Sequence, residues 1–177
     1  IDTPTGNDYI EMRAKGFEKI SPQRKYHGIS TQIIAQIKNV RVPFNVDIGV
    51  GDIIVPRAEE RTINTQLPDF EAPVIKTYSL ESTIAEKFDA ILQRFELTGR
   101  MKDFYDIYYL SRTFNFEGAK LQAAIFETLQ RRGTPYDRDS FKRVVALGDD
   151  EDMQKRWKFF LKTIKDKTLE FPFVIEE

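Results

Sequence analysis

Hydrophobic and polar positions follow two different periods along this chain. From Phe44 to Val50, Phe44, Val46, Ile48 and Val50 alternate with Asn45, Asp47 and Gly49, which predicts a strand with one apolar face and Asp47 on the other. The preceding "ISTQIIAQIK" has the branched residues of a second strand. Asn7 to Ile20 reads as a short helix, "SPQRKYHG" as a turn region, and Pro56, Pro68 and Pro73 punctuate a long connection. From Ser79 the period becomes helical. Leu80, Ile84, Ala85, Phe88, Ile91, Leu92 and Phe95 share one arc of a helix over Leu80 to Phe95, stopped by Gly99. A second helix follows over "MKDFYDIYYLSR", and a third over Gly118 to Arg132, ending at Gly133. A short one lies around Ser140 to Ala146, and a last one runs from Asp150 to Lys165 with Trp157, Phe160 and Leu161 facing in. The pattern predicts an α+β protein with a β-containing lobe over residues 1–78 and a helical lobe over 79–177.

Charge changes this picture little. The 27 Lys and Arg nearly balance 28 Asp and Glu, a net −1, so bulk attraction to nucleic acid or membrane is not expected and a polyanion needs a local patch. The absence of cysteine excludes disulfides and thiolate metal sites and fits a reducing cytoplasm. No apolar run approaches the ~18 residues of a membrane span, and the first residues lack the regions of a signal peptide. A soluble, cytoplasmic protein is expected. The chain opens on "IDTPTGNDY" without Met and closes on the apolar "LEFPFVIEE"; processing and membership of a longer protein both stay open.

The candidate chemistry is carboxylate and lysine. Asp47 stands on a strand beside Gly49 and Gly51, with Asp52 just beyond. Strand acids next to bare backbone suit an oxygen-ligated Mg²⁺, against the plainer reading of a solvated strand surface. Glu81 projects into the apolar arc of its helix and needs a partner, with Arg100 the first candidate. Lys87 lies at the edge of that arc, as a snorkelling lysine or a point charge for a phosphate. In the next helix Asp103 falls between Leu110 and Ile107, and Asp106 just outside. Carboxylates at i and i+3 repel, so Arg100, Lys102 or Lys87 must compensate, either as structural ion pairs or as a binding site shared with Lys87.

Other candidates are weaker. His27 is the one histidine, which rules out multi-histidine metal sites, and it reads as a turn or surface residue. Ser21, Ser30 and Ser79 lack a nucleophile-elbow context. Arg131 and Arg132 could meet RNA phosphates but read more simply as a solvated helix end. Trp157, Phe159 and Phe160 read as core packing.

In order, "VDIGVGDIIVP", "YSLESTIAEKFDAILQRFELTGRMKDFYDIYYL", "RRGTP" and "KRWKFFL" resemble the AbiEii/AbiGii nucleotidyltransferase toxin family of abortive-infection and toxin–antitoxin systems, over nearly the whole chain. The resemblance implies a polymerase-β-like core with a helical C-terminal lobe. It also implies transfer of a nucleotide from a nucleoside triphosphate (NTP), with Mg²⁺, to an RNA or protein acceptor, and a cognate antitoxin partner. It places Asp47 and Asp52 in the family's second motif as metal ligands, Lys87 in the third, and Asp103 and Asp106 in the fourth. Asp47, Lys87 and Asp106 would be catalytic; Lys87, Arg100 and Asp103 would face the nucleotide. The family's first motif, a Gly-rich turn leading into an Asp-x-Asp strand, has no counterpart here: the early acids are Asp2, Asp8, Glu11 and Glu18. The expectation is a polypeptide inactive alone; whether an upstream segment supplies that motif stays open. The alternatives are a non-catalytic module that binds nucleotide, RNA or antitoxin, and a small-molecule phosphotransferase on the same fold.

Overall fold

The computed structural model describes residues 9–20, 28–164 and 168–176. The expected turn over 21–27, with Ser21 and His27, lies outside them, as do Asp2, Asp8 and Lys165. The protein is α+β and forms two compact units, Ile1–Asp52 and Ile53–Glu177.

The first unit is a three-stranded antiparallel sheet in the order β1-β2-β3, with β1 at Glu11–Ile20, β2 at Gly28–Ile37 and β3 at Val40–Gly49. β1 replaces the expected helix. A bulge between Ala14 and Phe17 shifts the pairing with β2 and breaks the two-residue alternation that marks a strand, so Met12, Ala14 and Phe17 are spaced irregularly. β2 and β3 pair without a slip from Gly28↔Gly49 to Ile37↔Val40, joined by a tight turn with Lys38 at φ 52. Pro43 sits in β3, an edge strand that can spare its N–H. The register puts Ile29, Ile33 and Ile37 beside Ile48, Phe44 and Val40 on one face. Ser30, Gln32, Asn45 and Asp47 share the other.

The second unit opens with a two-stranded ribbon, β4 (Glu59–Thr62) against β5 (Val74–Thr77). Helices α1 (Leu80–Leu92), α2 (Met101–Thr113), α3 (Gly118–Arg132), α4 (Arg138–Ala146), α5 (Glu151–Ile164) and α6 (Phe171–Glu176) follow. Ser79 caps α1 by accepting from Ser82 N at 3.1 Å, and Asp137 caps α4 with a reciprocal Ser140 bond. α3 ends as expected at Gly133, in the left-handed region at φ 67. α1 stops earlier than its apolar spacing predicts. Gln93 is its C-cap, and Phe95 turns to φ 42 at the start of a short 3₁₀ turn, its ring covered by Arg143 at 3.9 Å.

The core joins Ile91, Met101, Phe104, Leu147, Met153, Trp157, Leu161, Phe171 and Val174. Phe171 meets Phe104 edge-on at 5.2 Å and Trp157 at 5.3 Å, and the Trp157 indole N–H donates to Leu169 O at 2.8 Å. The closing apolar run is therefore a helix that completes the core. Pro172 sits in its first turn, where a missing N–H costs nothing.

Candidate functional site on α1 and α2

The first turn of α2 is placed by the loop before it. Arg156 of α5 donates to the backbone oxygens of Glu96 and Thr98, at 2.9 and 2.8 Å. Buried Thr98 accepts from Arg100 N at 3.2 Å, which fixes where α2 begins. Asp103 and Asp106 then project from one side of α2 toward Lys87 on α1.

The three side chains meet. Lys87 Nζ lies 2.7 Å from Asp106 Oδ2 and 3.0 Å from Asp103 Oδ1. Two further cations flank the acids: Arg100 lies 3.3 Å from Asp103 Oδ2, and Lys102 lies 2.5 Å from Asp106 Oδ2, the oxygen Lys87 also meets. Lys87, Asp103 and Asp106 are largely buried, at 20%, 11% and 21% side-chain exposure, whereas Arg100 and Lys102 stand at 56% and 72%. Three cations face two carboxylates, which leaves one positive charge in surplus, carried toward solvent by the two exposed groups.

Proton affinities follow from this geometry. Burial works to lower the Lys87 pKa, but hydrogen bonds to Asp106 and Asp103 and their charges outweigh it and hold the ammonium above its ordinary value. Burial likewise works to raise Asp106, and the bonds and charges of Lys102 and Lys87 pull its carboxyl below the usual range. Lys87 and Asp106 are therefore both ionised at neutral pH.

The remaining expected residues lie in the first unit. Asp47 is exposed on β3 and accepts from Ser30 Oγ at 2.6 Å. Gly51, at φ 96, turns the chain after β3, and half-buried Asp52 follows. Among the described strands Asp47 is the one aspartate. Both Asp103 oxygens and Asp106 Oδ2 are engaged by lysine and arginine, and no group of three His, Cys, Asp or Glu suited to a metal forms among the described residues. Asp47 and Asp52 fall short of the oxygen set that Mg²⁺ takes, so the residues present do not fit that ion by themselves.

Two expectations are corrected. Glu81 has no hydrogen bond or ion pair with Arg100, which is engaged with Asp103. It is half-buried in the first turn of α1, where the helix N-terminus favours a carboxylate, and its charge acts on Lys120 of α3. Arg132 is neither a solvated helix end nor available to RNA. At 19% side-chain exposure it reaches Asp89 at 3.1 Å and Glu86 at 3.3 Å on α1.

Asp89 was not foreseen. It is fully buried, with its carboxylate accepting from Gln93 Nε2 at 2.9 Å, from Arg132 and from the Thr134 hydroxyl. The available signal was its position between Ala85 at i−4 and Leu92 at i+3, an acid flanked by core residues.

The family described as "Nucleotidyl transferase AbiEii toxin, Type IV TA system" matches residues 1–177. The chain belongs to the AbiEii nucleotidyl transferase toxin family. Comparison with curated proteins and with solved structures returns no match. Within the described residues of this AbiEii chain, no helix is long and apolar enough to cross a membrane.

Proposed function

We propose that this chain supplies the nucleotide-holding helices of a toxin–antitoxin nucleotidyltransferase. The observation that carries the reading is the Lys87–Asp103–Asp106 cluster. Catalysis of this class needs charge neutralisation and positioning more than a reactive side chain. Asp103 and Asp106 orient Lys87, the surplus charge draws the triphosphate of an NTP, and exposed Arg100 and Lys102 swing from their carboxylates onto its oxygens. One strand aspartate cannot clamp both the attacking and the leaving oxygen of an in-line displacement, so these residues alone bind and do not transfer. That scarcity is also what favours the second reading, a module that binds nucleotide or antitoxin without catalysis.

Titration calorimetry of the chain with each NTP tests the proposal. Binding is expected, weakened roughly ten- to hundred-fold in Lys87→Met by loss of one charge-assisted contact. A folded chain that binds no NTP would sink it. In a parallel assay with labelled NTPs, Mg²⁺ and total RNA, no labelled product is expected; incorporation that depends on Asp47 would overturn the claim of silence.

A further inference from the structure

Phe159 behaves unlike its neighbours. Trp157 is 1% exposed, whereas Phe159 stands at 71%, so it contributes nothing to the core its sequence context suggests. From Lys155 to the end of α5 there are four cations and no carboxylate, in "KRWKFFLKTI". Lys155 and Lys162 lie at i−4 and i+3 from Phe159, on its own face of the helix, and Lys162 Nζ is 5.7 Å from its ring centroid. Lys155 is drawn to Asp152 and Glu151. Arg156 is held by the two backbone carbonyls of the α2 lead-in, and its charge also acts on Asp152 one turn before it. Phe159 and Arg156 line a groove of about 530 Å³ with Met101 and Phe160, and Arg100 and Lys102 of the ion-pair cluster line it as well.

We propose that this groove between the start of α2 and α5 binds a single strand of nucleic acid, with a base stacked on Phe159 and phosphates on Arg156 and Lys162. An exposed ring flanked by cations is the equipment of a sequence-tolerant single-strand surface, and the cationic rim complements a phosphate backbone. A second copy of the chain is disfavoured, because it would bring a like-charged rim against this one. Arg100 and Lys102 belong both to the groove and to the Lys87 cluster, so a strand lying here ends next to the proposed triphosphate. Its role as the acceptor strand rests on the nucleotidyltransfer reading; its binding does not.

The experiment is fluorescence anisotropy with labelled oligonucleotides of about ten nucleotides, single-stranded RNA and DNA and a duplex, over a salt series. The single strands are expected to bind more tightly than the duplex. Phe159→Ala should weaken single-strand binding roughly ten- to hundred-fold. Arg156→Gln and Lys162→Gln should each flatten the slope of log K against log salt by about 0.7. Tighter binding of RNA than DNA, or equal binding of both, supports a single-strand surface and tells which strand it prefers. Lys87→Met should keep strand binding while NTP binding weakens; strand binding by the unaltered chain without NTP binding would fail the transferase reading and leave this one standing. No single-strand binding, binding indifferent to Phe159→Ala, or an acidic peptide that binds in the strand's place with the same Phe159 dependence would overturn the proposal.

Discussion

Lys87 of α1 and Asp106 of α2 form a 2.7 Å ion pair across two helices, with four-fifths of each side chain withdrawn from water. The pair is shared: Asp103 also bonds the lysine, and Lys102 meets the same Asp106 oxygen. An arrangement of alternating charges has no single dispensable member. Its stability and its capacity to hold an anion are properties of the same atoms, and that sets how variants here must be read.

Removing Lys87 leaves two i, i+3 carboxylates facing each other with only exposed cations nearby. Lys87→Met should therefore cost about 1–3 kcal/mol of stability, as expected for stranding a partly buried charge. In a double-mutant cycle with Asp106→Asn, the coupling should be about 0.5–3 kcal/mol. Urea unfolding of the four proteins measures it. Additive effects would show that the 2.7 Å contact carries no net energy, and a loss of NTP binding in Lys87→Met could then be assigned wholly to the ligand.

The acid limb of the stability profile tests the same cluster independently. Asp106 holds its proton less readily when folded. Its contribution is thus complete above the ordinary Asp pKa of about 3.9 and is lost as pH falls through the lowered folded value. Lys87 is the mirror case, complete below about 10.4 and lost as pH rises through its raised value. Thermal melts of the chain and of Asp106→Asn should show a Tm gap that is constant between these limits and narrows on the acid side. A gap independent of pH would mean that Asp106 stabilises nothing by its charge.

Much of this was legible in the chain because it is local. The bounds of α3 follow from its apolar spacing and from Gly133, and the meeting of Lys87 with Asp103 and Asp106 follows from two amphipathic helices joined by a short connection. What was not legible depends on distant partners. Glu81 was assigned to the core by projecting α1 alone, but α1 packs extensively on α3, and this turns the buried arc toward Ser82 and Asp89. The Asp89 partners Arg132 and Thr134 lie 43 and 45 residues away, beyond any periodicity. The β1 bulge and α6 escaped for a related reason: one extra residue hides a strand, and six residues ending an apolar run are too few to display a helical period.

The Arg132 contacts yield a prediction with no functional component. Asp89 has 1% side-chain exposure, and a buried carboxylate that loses its cation is strongly penalised. Arg132→Met should destabilise the protein by about 3–5 kcal/mol, and Thr134→Val by about 2–3 kcal/mol, because its hydroxyl donates to the Asp89 carboxylate and accepts from Gln93 Nε2. If Asp89→Asn is introduced as well, most of the Arg132→Met cost should disappear, because no charge is then stranded. Denaturant melts decide this; an undiminished cost would place the role of Arg132 with Glu86 instead.

Trp157 and Phe159 are two residues apart on α5 and should respond oppositely to truncation. The Trp157 ring packs against Phe160 at 5.4 Å and Phe171 at 5.3 Å, and its N–H ties α5 to the backbone ahead of α6. Trp157→Ala should cost about 3–5 kcal/mol and release α6 from the core. Phe88, counted with the core from its spacing on α1, is only half-buried and stacks on Phe141 at 5.6 Å, so Phe88→Ala should cost roughly half as much. Phe159→Ala removes a ring that is already mostly in water, and its stability should stay within about 0.5 kcal/mol of the parent. Urea midpoints at constant m measure all three. A large loss in Phe159→Ala would mean that the ring is packed in solution, and weakened nucleic-acid binding by that variant would then have to be read as unfolding rather than as loss of a stacking surface.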